Sequence, residues 1–232
     1  MHEAVLKAEN VSKSYRRGKQ TVLALQDISL VVEPGETVAV MGPSGCGKST
    51  LLMLLGGLDR PTTGSVWLKD VNLATATMAQ LVELRRSTCG FVFQSDQLLP
   101  TLTLQENVAL PIAVTGVDLN ECQQRARELL ESVGLAGKVN SLPREVSGGQ
   151  RQRAAIARAL ANAPEVVLAD EPTGNLDSTT AKDVIDLFLE RLKEYNSALI
   201  MVTHDAKVAE RTDRQLHMHD GRLGNKLAGL FK

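Results

Sequence analysis

The chain's 232 residues, 43% of them hydrophobic, suffice for one large domain with its own core, and a formal charge of −1 without a basic tail argues against a nucleic-acid binder. The longest apolar runs fall well short of the roughly 18 residues that a membrane-spanning helix needs, and the opening Met-His-Glu-Ala does not read as a signal peptide. Three scattered cysteines, Cys46, Cys89 and Cys122, make neither a disulfide framework nor a zinc site and suit a reducing cytoplasm.

From the start, Val5–Val11 and Thr21–Glu33 alternate as strands do, joined by the polar segment Ser12–Gln20, with a turn at Pro34-Gly35. The apolar run Val38–Met41 then enters Gly42, Pro43, Ser44, Gly45, Cys46, Gly47, Lys48, Ser49 and Thr50, and a helical pattern follows over Leu51–Leu58. Strand, glycine loop and helix are the context that the pattern G-x-x-x-x-G-K-[ST] requires. Glycines let main-chain amides turn inward around a polyphosphate, and the helix starting near Lys48 adds its positive dipole end. Lys48 is expected to hold the β- and γ-phosphates of a nucleoside triphosphate, the Ser49 hydroxyl to ligate Mg²⁺, and Thr50 to lie near the α- and β-phosphates.

A further strand pair is expected over Gly64–Leu73, completing a small antiparallel layer. Met78–Arg86 reads as a short helix and Cys89–Phe93 as a buried strand closing on Gln94. From about Ser95 to Ala163 the texture changes: Leu104–Leu110, Leu119–Val133 and Gly148–Ala161 have helical spacing, and β-branched runs disappear. The expectation is a single domain, 1–232, whose α/β core (1–94 and 164–232) carries an inserted helical subdomain (95–163). Val166–Ala169 and Ala198–Thr203 are apolar runs of the buried parallel-strand kind, separated by a helix over Ser178–Tyr195 with Val184, Leu187, Phe188 and Leu192 on one face. Gln215–Leu223 with its Asp220-Gly221 turn reads as a closing hairpin. Gly42, Gln94, Asp170-Glu171 and His204 each follow an apolar run, so each is placed at the carboxyl end of a strand, the edge where open parallel sheets bind ligands.

Two of these positions carry chemistry of their own. Asp170 is placed to hold Mg²⁺ through water, and Glu171 to orient and polarise a water attacking the γ-phosphate, which implies hydrolysis rather than binding alone. Ser147, Gly148, Gly149 and Gln150 open a long helix with Ser147 as N-cap; paired glycines at a helix start make a second anion site.

The set of motifs, in this order and spacing, resembles the ATP-binding-cassette (ABC) ATPases: the glycine loop, Gln94, Ser147–Gln150, Val166–Glu171, Gly174-Asn-Leu-Asp177 and His204. The resemblance covers nearly the whole chain. It implies an α/β fold with a P-loop NTPase core of mostly parallel sheet, a small antiparallel β layer and an inserted α-helical subdomain. It also implies a head-to-tail homodimer around two ATP-Mg²⁺, each γ-phosphate held by Lys48 of one copy and Ser147–Gly149 of the other. Carried over residue by residue, Tyr15 resembles the aromatic that stacks on adenine, and Gln94 the residue that touches Mg²⁺ and the attacking water. Asp177 matches the D-loop aspartate and His204 the switch histidine at the γ-phosphate. Val146 stands where the family usually has leucine, a conservative apolar change.

Gly90–Pro111 and Asp170–Asp177 are most similar to the cassettes of macrolide-efflux, lipoprotein-release, antimicrobial-peptide-resistance and cell-division systems. That likeness implies an ATPase on the cytoplasmic face of the membrane, driving a separate permease with few transmembrane helices, and no nucleic-acid partner. Leu98, Leu99 and Leu102 are expected either to meet the permease or to be subdomain core. Repair ATPases of the same class carry a long coiled coil where this chain has only the stretch from Gln94 to Ser147. Translation forms carry two cassettes where this chain has one. The cargo is not legible here, because selectivity resides in the permease.

Overall fold

A computed structural model describes residues 4–18 and 20–224. In chain order the strands are β1 (Leu6–Arg17), β2 (Gln20–Val32), β3 (Thr37–Met41), β4 (Thr63–Leu68), β5 (Val71–Asn72), β6 (Cys89–Val92), β7 (Val166–Asp170), β8 (Ala198–Thr203), β9 (Arg214–His219) and β10 (Arg222–Gly224). The helices are α1 (Lys48–Leu55), α2 (Met78–Ser87), α3 (Leu104–Ala113), α4 (Leu119–Ser132), α5 (Gly148–Ala159), α6 (Ser178–Tyr195) and α7 (Ala206–Ala209). The chain forms two compact units, one holding the described residues up to Arg85 and from Ala198 onward, the other Arg86–Ser197.

The first unit contains an antiparallel sheet in the order β2-β1-β4-β5 and the strands β10-β9-β3-β8 side by side. β3 runs parallel to both β8 and β9, with Val38 opposite Ile200 and Arg214. Val38, Ala39, Val40 and all of Ala198–Val202 are fully buried, which is why these strands read as unbroken apolar runs. α1 packs its Leu51, Leu54 and Leu55, none of them exposed, toward β4 and β8. It ends at Leu55 rather than running on to Leu58, because Gly56 and Gly57 follow and Gly57 turns left-handed at φ 61°. The closing hairpin forms as expected, with Asp220 and Gly221 both at positive φ between β9 and β10, the geometry of a type I′ turn.

One expectation fails here. Ser12–Gln20 is not a connector: β1 continues to Arg17 and pairs with β2 through Tyr15↔Val22, Arg16↔Thr21 and Arg17↔Gln20. This end of the hairpin is exposed, so its side chains show no buried alternation, and the register shifts between Ala8 and Ser14 break the period further.

The second unit pairs β6 and β7 in parallel, Cys89 opposite Val166. α3, α4 and α5 pack on one another, and α5 also packs on β6 and α6. β6 and α5 come so close that a Cβ on Gly90 would strike the Ala159 carbonyl. α3 starts at a capping box of Thr103 and Glu106 and runs through Pro111 to Ala113, one turn beyond the expected end. α6 begins at Asp177 and closes on Asn196 in the left-handed conformation. Phe188 is the largest of its fully buried side chains. Phe188→Ala is therefore expected to destabilise the protein by about 3–5 kcal/mol, read as a lower urea midpoint in equilibrium unfolding.

Candidate functional site

In the first unit, the pairing of Met41 with Thr203 sets Gly42 and His204 at the exits of adjacent parallel strands. The loop Gly42–Gly47 then leads into α1, whose N-cap is Gly47 at φ 111°, with no side-chain cap and no acidic residue in the first turn. The leading amides of α1 thus lie outside its hydrogen-bond ladder and carry the positive end of the dipole. A Cβ on Gly42 would collide with the Met218 carbonyl, and one on Gly47 would sit 2.5 Å from the Ala24 carbonyl, so both positions require glycine. The Lys48 side chain is buried and its Nζ donates to the carbonyls of Gly42 (2.7 Å) and Pro43 (2.9 Å), bracing the loop from within. Its Nζ also lies 3.9 Å from the buried Cys46 Sγ. Pro43, Ser44, Gly45, Ser49 and His204 are exposed.

Tyr15 lies in the same unit, 39% exposed, and its hydroxyl donates to Asp59 Oδ2 at 2.8 Å. Asp59 stands in the turn that follows α1, so the ring is tied to that turn. Partial burial, then the Asp59 carboxylate, pushes the Tyr15 phenol above its ordinary pKa. Burial works the other way on Asp59 itself, but Lys13, Tyr15 and the Arg60 amide outweigh it and hold the carboxyl below the usual range.

In the second unit, β6 and β7 exit side by side, Val92 opposite Ala169, which places Gln94 and Asp170-Glu171 together. A Cβ on Gly174 would lie 2.9 Å from Gln94 Nε2 and 3.1 Å from Glu171 Oε2, so those two side chains converge on one glycine. Glu171 holds a left-handed backbone at φ 45°, a sparsely populated state for a non-glycine residue. Asn175 Nδ2 donates to the Gln94 carbonyl at 3.0 Å.

α5 begins with a complete capping box: Ser147 Oγ accepts from the Gln150 amide (3.3 Å), and Gln150 Oε1 accepts from the Ser147 amide (3.0 Å). Gly148 and Gly149 occupy the first turn, and a Cβ on Gly149 would stand 2.5 Å from Thr180 Cγ2, so the second glycine is also a packing requirement. Asp177 caps α6 by accepting from the Thr179 and Thr180 amides, both at 3.1 Å. The Thr180 hydroxyl and amide hold the Asp177 carboxyl below the usual carboxylate range.

The sequence pattern missed the residues that bind α5 to the segment after Gln94. Gln152 Nε2 donates to the Phe93 carbonyl (3.2 Å), Arg151 Nε to Asp96 Oδ2 (2.9 Å), and Arg158 to the carbonyls of Gln97 (2.6 Å) and Asp96 (2.7 Å). Burial lowers the Arg158 pKa, and Asp96 counters it. Partners more than fifty positions apart leave no periodicity to read. Of the leucines considered for docking, Leu98 is interior, Leu102 half-buried and Leu99 exposed.

No group of three or more His, Cys, Asp or Glu side chains forms a metal cage among the described residues. The expected Mg²⁺ donors, Ser49, Gln94 and Asp170, supply hard oxygens and a single carboxylate. That set fits an ion that keeps its waters and takes further ligands from phosphate, rather than an all-protein site.

The family model described as ABC transporter matches residues 25–174. The lipoprotein-releasing system ATP-binding protein LolD of Legionella pneumophila (strain Lens) is 47% identical over 223 residues, covering 96% of this chain and 98% of that protein. The protein of the same name from Pseudomonas fluorescens is 47% identical over 221 residues, covering 95% and 97%. Solved structures of the ATP-binding cassette MJ0796 superimpose with a TM-score of 0.87 at 40% and 41% identity, each covering 95% of this chain and 98% of that one. One is described as a dimer in a post-hydrolysis state bound to ADP and Pi, the other as a dimeric bacterial ABC transporter cassette. The fold is that of the P-loop NTPases.

Removing the cap at the start of α5 tests the local geometry. Ser147→Ala is expected to cost about 1 kcal/mol of stability, seen as a lower urea midpoint at unchanged slope.

Proposed function

The chain belongs to the ABC transporter family, and from that premise we propose that it is the ATP-hydrolysing subunit of a lipoprotein-release-type complex, closing head-to-tail on two ATP-Mg²⁺ and driving a separate membrane permease. The observation that carries the reading is the start of α1: a glycine-capped helix with unpaired leading amides, no acidic side chain, and a lysine folded beneath the loop. A triphosphate satisfies those amides where no side chain does.

Lys48 is assigned to the β- and γ-phosphates, exchanging its bonds to the Gly42 and Pro43 carbonyls for charge-assisted ones to phosphate. Ser49, Gln94 and Asp170 would hold Mg²⁺, which when bound neutralises charge on the phosphate oxygens. Glu171 accepts a proton from the attacking water and fixes its line of approach, and Gln94, beside it at Gly174, orients the same water. His204 donates to a γ-phosphate oxygen as negative charge is redistributed. Tyr15 stacks on the adenine.

Support for two copies comes from the chain's second anion-suited helix start, Ser147–Gly149, which one nucleotide in one copy does not need. An isologous pair uses it twice, each copy offering its α5 start to the other's γ-phosphate, with Asp177 at the seam. The solved relatives described as dimers support that arrangement. The relatives named for lipoprotein release support a permease partner and a place on the cytoplasmic face of the membrane. No helix among the described residues is long and apolar enough to cross a membrane itself. Exposed Leu99 and half-buried Leu102 are the apolar residues assigned to that partner.

Glu171→Gln is expected to keep ATP affinity and to accumulate an ATP-bound dimer, since the carboxylate acts on water rather than on the nucleotide; only monomer in size-exclusion chromatography with ATP-Mg²⁺ would count against it. Lys48→Ala is expected to weaken ATP binding at least tenfold, about 1.4 kcal/mol or more, and wild-type affinity by calorimetry would contradict the phosphate role.

A further inference from the structure

Beside Tyr15 stand two charged side chains that the reaction scheme leaves unused, Lys13 and Asp59. Lys13 and Tyr15 lie two apart on β1 and so share a face. The Lys13 side chain is only 11% exposed, pinned through Nζ to Asp59 Oδ1 (2.7 Å) and to the Arg60 carbonyl (2.6 Å). From there the ammonium stands 4.9 Å from the centroid of the Tyr15 ring. Asp59 meets Lys13 with one oxygen and the Tyr15 hydroxyl with the other, and its Oδ1 also accepts from the Arg60 amide at 2.7 Å. The turn carrying Asp59 is itself fastened: Arg60 Nη2 donates to the Ala76 carbonyl (2.7 Å), and the Thr62 amide to the Ser12 carbonyl (2.8 Å).

We propose that Lys13 and Asp59 are positioning residues for the nucleotide base: Asp59 fixes the Tyr15 ring by its hydroxyl, and Lys13 covers one ring face, leaving the other as the stacking platform. The proposal rests on the assignment of Tyr15 to adenine and adds what makes that exposed side chain a defined surface. An unanchored tyrosine loses rotamer freedom each time a base stacks on it; here the hydroxyl is already held by Asp59. A cation behind the ring also draws π density away from the stacking face, which reduces the repulsion between two electron-rich faces. The same ammonium neutralises Asp59, so the anchor brings no uncompensated negative charge near a polyphosphate. The asymmetry follows from burial: Lys13 is too firmly held to be displaced, so a base has one face to choose.

The test compares ADP-Mg²⁺ with magnesium tripolyphosphate, which shares the phosphate contacts and has no base, by calorimetry on the full chain. Lys13→Met, Asp59→Asn and Tyr15→Phe are each expected to weaken ADP binding about threefold to tenfold, Tyr15→Ala at least as much, and none to change tripolyphosphate affinity. If Tyr15→Ala weakens ADP while Lys13→Met and Asp59→Asn bind it as the wild type does, the positioning role is overturned and the adenine assignment stands. If Tyr15→Ala itself binds ADP normally, the adenine assignment falls and takes the proposal with it. Parallel loss of tripolyphosphate affinity in Lys13→Met and Asp59→Asn would show damage to the phosphate loop, and would also overturn the proposal. Tyr15→Phe keeps the ring and the charge pair, so it isolates the hydroxyl anchor even if Asp59→Asn folds poorly.

Discussion

Among the α-helices of the described residues, α1 is the one whose start carries no side-chain cap. α3, α4, α5, α6 and α7 each begin under a side-chain acceptor, from Thr103, Asp118, Ser147, Asp177 and Asp205. α1 begins under a left-handed glycine with nothing of the kind. Such a cap is worth about 1 kcal/mol, so its absence is a local sacrifice, offset by burial of Leu51, Leu54 and Leu55 further along the same helix. A helix that forgoes its own cap keeps amides and dipole available to an anion, the role proposed for α1, and β3, buried and paired on both sides, holds the loop that leads into it.

The second unit solves a related problem in a different way. α5 also opens on glycines, but Ser147 and Gln150 close a capping box over its third amide while the first turn stays slim. Gly149 is buried, and its missing Cβ is what lets Thr180 pack against the start of α5. From its other face α5 sends Arg151, Gln152 and Arg158 to residues 93–97. Gln94 and the glycine start of α5 therefore share one frame of hydrogen bonds, part of it formed by a largely buried guanidinium that would be costly to strip of its acceptors.

Most of the fold was legible because burial leaves a period behind. β3, β6, β7 and β8 are short apolar runs, α5 and α6 keep helical spacing, and Asp220-Gly221 carries its turn chemistry in two letters. What could not be read lay where burial is weak or partners are remote. The outer half of β1 is exposed and polar, so it imitates a loop although it is paired throughout. Leu98 and Leu99 are neighbours with one pattern and opposite fates, interior and surface, decided by side-chain direction in a segment without regular structure. Among the candidate site residues, the glycine loop and the acidic pair stand out in the sequence by type and spacing. Lys13, Asp59, Asp96 and Arg158 did not, since a lone charge in a sequence is indistinguishable from a solvated one until its partner is known.

The division of labour in nucleotide recognition follows from what each part can sense. Amides, a helix dipole and a lysine respond to charge and to the spacing of phosphate oxygens, which every nucleoside triphosphate shares. They supply affinity without identity. Anything that distinguishes a base has to be planar, polarisable and held still, and in a chain with 3% aromatic residues such surfaces are scarce. Tyr15 is one of two tyrosines, and its hydroxyl is bonded to Asp59 in the turn that follows α1, the helix whose leading amides are proposed to take the phosphates. The proposed base platform and the proposed phosphate cradle are thereby fastened at the two ends of one stretch of chain, so the distance between them is set by α1 and the turn that follows it. A ligand with the wrong reach from base to phosphate cannot use both.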